Sequence, residues 1–151
     1  MNQVVFSHKT DHWATPKAIY NEYMKKGYVD PCPLNCEVDN LKNEYKEQKL
    51  FINPPYSNIS GWVDSIIHWC NDNNCYVHLL IPARTDTKYF HKLLNNCNCS
   101  VYFIKGRLHF NDQGAAPFPT VIISVKPNNV IGSKVFIGTL LEPEEISDYI
   151  K

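Results

Sequence analysis

The chain has 151 residues, 44% apolar and 13% aromatic, which suits one domain around one core and argues against a disordered chain. Its 15 basic and 15 acidic residues cancel, so bulk charge alone does not hold a nucleic acid, although a local basic face stays open. No run approaches the roughly 20 apolar residues that span a bilayer, and the first residues lack the pattern of a signal peptide, so a cytoplasmic protein with no membrane partner is expected.

In chain order, Thr15 and Pro16 open a predicted helix over residues 17–26, with a cap hydroxyl, a proline at the first helical position and Gly27 at the stop. Residues 28–30 read as a short strand ended by Pro31, and residues 33–48 as polar and irregular with one helical turn. A strand over 49–53 is stopped by Pro54-Pro55. A helix over 57–73 then carries Ile59, Trp62, Val63, Ile66, Ile67, Trp69 and Cys70 at helical spacing. Residues 75–81 are continuously apolar, as in a strand buried on both faces. A helix over 85–96 follows, then a strand over 100–104 and a loop or short hairpin over 106–110. Strands over 120–125 and 134–140 and a closing helix over 142–150 complete the chain. Alternating strands and helices make the fold class α/β with a mostly parallel central sheet. Such sheets bind ligands at the carboxyl ends of their strands, where the polar residues singled out below fall.

Cys32, Cys36, Cys70, Cys75, Cys97 and Cys99 include no C-x2-C pair. Reduced structural thiols are therefore favoured over zinc, and no metal is expected. Of the 15 basic residues only Arg84 and Arg107 are arginine, and each follows a predicted strand.

Asn53-Pro54-Pro55-Tyr56 stands between a strand and a helix. A stiff Pro-Pro turn without further meaning is one reading. The strand-end position and the aromatic at the fourth place favour a chemical one. The exocyclic amine of adenine is a poor nucleophile because its lone pair is delocalised into the ring. Two acceptors, the Asn53 side-chain oxygen and the Pro54 carbonyl, hold its hydrogens and favour a pyramidal nitrogen. Proline restricts the backbone before it, and Tyr56 offers a face to an extruded base, a contact worth about 1–3 kcal/mol. Methyl transfer from a sulfonium then needs in-line placement more than a strong general base.

An ordered series of motifs between Trp13 and Val125 resembles the bacteriophage-type DNA N6-adenine methyltransferase (phage Dam) family. It comprises Trp13-Ala14-Thr15-Pro16, Asp30-Pro31-Cys32, and Asn53-Pro54-Pro55-Tyr56-Ser57 with Trp62. It continues through Leu80-Ile81-Pro82-Ala83-Arg84-Thr85-Asp86-Thr87 with Tyr89-Phe90, then Gly106-Arg107-Leu108 with Phe110. The resemblance implies a single compact Rossmann-like methyltransferase domain, S-adenosylmethionine as methyl donor and adenine in DNA as acceptor. It implies a catalytic Asn53, Pro54, Pro55 and Tyr56. Trp13, Thr15, Pro16, Asp30, Pro31 and Asn53 are the expected cofactor-binding residues, and Tyr56, Ser57, Arg84 and Arg107 the expected substrate-binding ones. The chain departs from the wider methyltransferase pattern in two places. Pro33-Leu34-Asn35-Cys36 holds no glycine for close backbone approach to a cofactor. Only about 20 residues separate Asp30 from the catalytic strand, so the fold is shortened there. Asp39 and Glu44 are candidates for the ribose-binding carboxylate.

Arg84 is expected at a DNA phosphate or the target nucleotide, against the plainer alternative of a surface pair with Asp86. Arg107 has the same two readings. Trp62 reads as core, Trp13 as packing or cofactor-side, His78 and His109 as strand residues, and Lys88, His91 and Lys92 as a solvated basic face. Two other functions stay open. One is a catalytically silent methyltransferase-fold protein that binds DNA or a protein partner, motivated by the missing glycines. The other is methylation of RNA or of a protein glutamine. Sequence selectivity in so small a chain has to come from loops near Arg84, from residues 107–119 or from a second subunit, which leaves a homodimer open. A phage-encoded copy would work in the host cytoplasm.

Overall fold

The computed structural model describes residues 13–33, 40–110, 114–127 and 136–150. Within them the apolar runs form one five-stranded sheet. Its members are β1 (Lys49–Ile52), β2 (Tyr76–Pro82), β3 (Asn98–Ile104), β6 (Thr120–Lys126) and β7 (Phe136–Leu141), in the order β1-β2-β6-β3-β7. β4 (His109–Phe110) and β5 (Gly114–Ala115) make a separate antiparallel ribbon. Pairing is parallel between β1 and β2 and between β3 and β7, while β6 runs against both of its neighbours. Four strands thus share one direction, as a mostly parallel sheet requires, and the reversed fifth lies between them.

Side chains alternate across a strand, and the sheet uses both faces. Leu50, Ile52, Val77, Leu79, Ile81, Val121 and Ile123 pack with α2 (Ile59–Asn73) and α3 (Lys88–Asn96). Phe51, Leu80 and Ile122 pack with α1 (Lys17–Lys25) and α4 (Ile146–Tyr149). The inward stripe of α2 is Ile59, Trp62, Val63, Ile66, Trp69 and Cys70, the i, i+3, i+4 pattern of an amphipathic helix. Trp62 is therefore core, 5% exposed. The indole N–H of Trp69 donates to Asn43 O at 2.9 Å and ties the preceding loop to the helix. Asn74, left-handed at φ 57°, ends α2.

Several boundaries differ from expectation for identifiable reasons. Thr15 does not cap α1: Pro16 takes that position without a side-chain hydrogen bond, and Thr15 Oγ1 accepts a bond from Asn53 instead. The strand expected at 28–30 shrinks to a single parallel bridge from Val29 to Leu50, because Pro31 has no N–H to extend the ladder. The helix expected from residue 57 begins as a 3-10 turn, Tyr56–Asn58. The one expected from residue 85 begins at Lys88, because the Arg84 carbonyl accepts both the Thr87 N–H (3.2 Å) and its hydroxyl (2.7 Å) in a turn of their own. The closing helix divides into a 3-10 turn, Pro143–Glu145, and α4. Cys32, Cys70, Cys75, Cys97 and Cys99 are all buried, whereas Cys36 and Asp39 lie outside the described residues. Among the described residues no three His, Cys, Asp or Glu side chains gather as a metal site, and no helix is long and apolar enough to cross a membrane.

Candidate active site

Strand direction decides where the site lies. Ile52, Pro82 and Ile104 end β1, β2 and β3, and Thr120 begins the reversed β6, so all four meet at one end of the sheet. Pro82 stands opposite Thr120, and Ala83 N–H donates to Pro119 O at 2.9 Å.

Asn53 leaves β1 at this end and is 4% exposed. Its Nδ2 donates to Trp13 O and to Thr15 Oγ1, the latter at 3.0 Å. A backbone carbonyl can only accept, so the nitrogen must face residues 13–15 and Oδ1 is the acceptor turned away from them. Pro54 is buried. Pro55, at φ −62° and ψ 134°, holds an extended corner, and its carbonyl accepts from Asn58 N–H at 3.1 Å. Tyr56 is half-buried and edge-on to Phe118, with centroids 5.4 Å apart. Trp13 lies edge-on to Phe110 and to Phe118, each at 5.6 Å. Its ring is thus committed to packing at 7% exposure, while its carbonyl orients Asn53. Phe118 is the residue that sequence reasoning missed. Its one signal is Pro117-Phe118-Pro119, an aromatic pinned between prolines just before a strand.

The Tyr56 hydroxyl is buried and has no hydrogen-bond partner among the described residues. Burial raises its pKa, the neighbouring Tyr89 raises it further, and Arg84 pulls it back. Arg84 is exposed and, among the described residues, pairs with no carboxylate. The alternative pair with Asp86 does not form. Arg107 is exposed in the same way, one residue past Gly106 at φ 73°. Ser57 is exposed at the start of the turn into α2. The basic face of α3 is solvated as expected, with Lys92 paired to Asp64 at 2.6 Å.

Asp30 follows the Val29 bridge. Its Oδ1 accepts the Cys32 N–H at 2.8 Å, and the Tyr20 hydroxyl bonds to the same carboxylate. Burial pushes this carboxyl up to about 6 against those two bonds, and no cation pairs with it among the described residues. Glu44 must be corrected as a ribose candidate. It bonds His68 Nε2 at 3.1 Å and Asn73 Nδ2 at 2.8 Å. Asn73 ends α2, roughly 20 Å along the helix from the Asn53–Tyr56 corner.

Comparison with known proteins places this arrangement. Residues 4–142 match the family model described as DNA N-6-adenine-methyltransferase (Dam). The chain belongs to that family. Among solved structures, this family member is similar to the crystal structure of an M1.HpyAVI–SAM complex, with 12% identity and a TM-score of 0.29. The match covers 87% of this chain and 64% of that one, so the chain spans less than two thirds of that protein's length. No curated protein matches the chain.

Proposed function

We propose that this Dam-family chain, on a compact Rossmann-like fold, methylates the N6 amine of adenine in DNA with S-adenosylmethionine, the target base being extruded onto Asn53–Tyr56. The observation that carries this is the Asn53 amide, whose nitrogen is engaged by Trp13 O and Thr15 Oγ1 at the carboxyl end of a parallel strand. Asn53 Oδ1 and the Pro54 carbonyl accept the two amine hydrogens, which localises the lone pair on nitrogen. The new N–C bond would form as the donor's methyl–sulfur bond breaks, with its electron pair staying on the then neutral sulfur, and one amine proton would be lost from the methylated nitrogen to solvent. A proline pair and a buried amide hold the corner in place, and because Asn53 Oδ1 lies beneath the surface, the base has to displace the side chains over it to reach that oxygen. Tyr56 supplies the stacking face, and Arg84 and Arg107, which pair with no carboxylate among the described residues, meet the DNA backbone.

S-adenosylmethionine, when bound, supplies an electrophilic methyl group on a positively charged sulfur. The chain offers a fitting partner in Asp30, a half-buried carboxylate with no cation paired to it among the described residues. Trp13, Thr15, Pro16 and Pro31 belong to the same cofactor-side segments in this proposal, with Asn53 between cofactor and base. Selectivity comes from residues near Arg84 and 107–119 or from a second copy of the chain, and the bacteriophage-type placement rests on the motif series.

The test uses purified protein, labelled S-adenosylmethionine and duplex DNA, with RNA and a glutamine peptide as competing acceptors. N6-methyladenine is expected in the DNA, and Asn53→Ala should lower the rate by about 100-fold or more while calorimetry still registers the cofactor. Undiminished activity in that variant removes the assigned mechanism. No heat with the cofactor or its demethylated product supports instead a silent relative that binds DNA or a protein.

A further inference from the structure

Two buried hydroxyls beside the corner have nothing to bond to. The Tyr56 and Tyr89 phenols both lack a hydrogen-bond partner among the described residues. Leaving such a group unsatisfied is destabilising. Both rings pack against the same core cluster, with Ala83 between Pro82 and Arg84 alongside. Arg84 acts on the Tyr56 oxygen in the direction that favours negative charge there, and its guanidinium has no carboxylate. The start of α3 adds to the same polarity. Its Thr87 cap bonds no helix N–H, because the hydroxyl is spent on the Arg84 carbonyl at 2.7 Å. Its first turn contains no acidic residue, so the amino end of the helix keeps its partial positive charge.

Two phenol donors, a guanidinium and an uncapped helix start suit a monoanionic, acceptor-rich group. We infer that Tyr89, with the hydroxyl of Tyr56 and with Arg84, forms a subsite for a DNA phosphodiester next to the extruded nucleotide. This rests on the DNA-methylation reading above. The phosphate oxygens accept from the two hydroxyls, and the guanidinium balances their charge. Arg84 is exposed while both hydroxyls lie beneath the surface, so phosphate entry requires the side chains over them to move. Tyr89 contributes here through its hydroxyl, and the ring serves the core.

The experiment measures fluorescence anisotropy of a short labelled duplex with wild type, Tyr89→Phe and Arg84→Gln, together with the Tm of each protein. Tyr89→Phe should weaken DNA binding by about tenfold, with S-adenosylmethionine affinity unchanged and Tm equal to or above wild type, since an orphaned hydroxyl is removed. Arg84→Gln should lower the slope of log Kd against log salt by about one. Wild-type affinity in Tyr89→Phe overturns the subsite, for the hydroxyl then serves only an internal water. A drop in Tm accompanying the lost affinity also overturns it, because the hydroxyl then holds the fold. If the wild type methylates DNA while Tyr89→Phe binds normally, the subsite alone fails. If the wild type binds no DNA at low salt, the methylation reading falls with it.

Discussion

Asp30 and His78 are buried titratable groups whose burial acts in opposite senses. Asp30 is pushed up to about 6 by desolvation, above its value in the unfolded chain. The folded state therefore holds an extra proton below that pH, and the ionised carboxylate costs stability at neutral pH. Discounted for partial exposure, that cost is about 1–2 kcal/mol. Asp30→Asn should accordingly raise the urea midpoint of the ligand-free protein at pH 7 while weakening S-adenosylmethionine binding. Wild-type cofactor affinity should fall by up to about tenfold per pH unit below 6 as the carboxylate is neutralised. A flat calorimetric profile from pH 7.5 to 5 removes Asp30 from the cofactor side. His78 behaves inversely. Its Nδ1 bonds the Tyr23 hydroxyl at 2.9 Å, and burial, then Lys126 and Lys49, lower it to about 4. The unfolded chain takes up this proton first as pH drops from about 6.5, so stability present at neutral pH is lost through about 4. The loss is about 3 kcal/mol at most. Denaturant titrations of His78→Gln should show a shallower acid decline than wild type, and an unaltered one assigns the decline to other groups.

At the scale of elements, β6 carries the sheet. Ile123 is fully buried between β2 and β3 and packs with α2 and α3. Ile123→Ala should cost about 2–5 kcal/mol in a urea unfolding curve, and a cost near zero would show the strand to be dispensable. The apolar runs made β1, β2 and the long α2 legible from sequence, because burial on two faces or one stripe leaves a period in the residues. Direction leaves no such trace, so the reversal of β6 and the contraction of residues 28–30 to one bridge emerge only from pairing. The corner at Asn53–Tyr56 was legible for a different reason: two prolines and a terminal aromatic carry their geometry locally. Phe118 and Tyr89 were not, because an aromatic in a loop or on an amphipathic helix reads as ordinary packing until its neighbours from distant segments are known. Thr15 reads as a cap by local rules, yet its oxygen goes to a residue 38 positions away.

Among the described residues, the two parallel pairs of the sheet are hydrogen-bonded to each other only through β6. β1 and β2 form one parallel pair, β3 and β7 another, and every ladder bond between the pairs passes through β6. A chain ending at residue 119 should therefore show no cooperative thermal transition by circular dichroism and should be rapidly cut by protease. Retained cooperative melting would mean that the packing of α2 and α3 on the sheet holds the two pairs together without β6. The same order bears on synthesis. Until residues 120–126 have left the ribosome, the inner edges of β2 and β3 lack the partner they have in the folded sheet, and such open edges invite pairing with other nascent chains. Productive folding must then await the emergence of β6, so overexpression at high translation rates is the condition most prone to inclusion bodies, and slower expression should favour recovery of native protein.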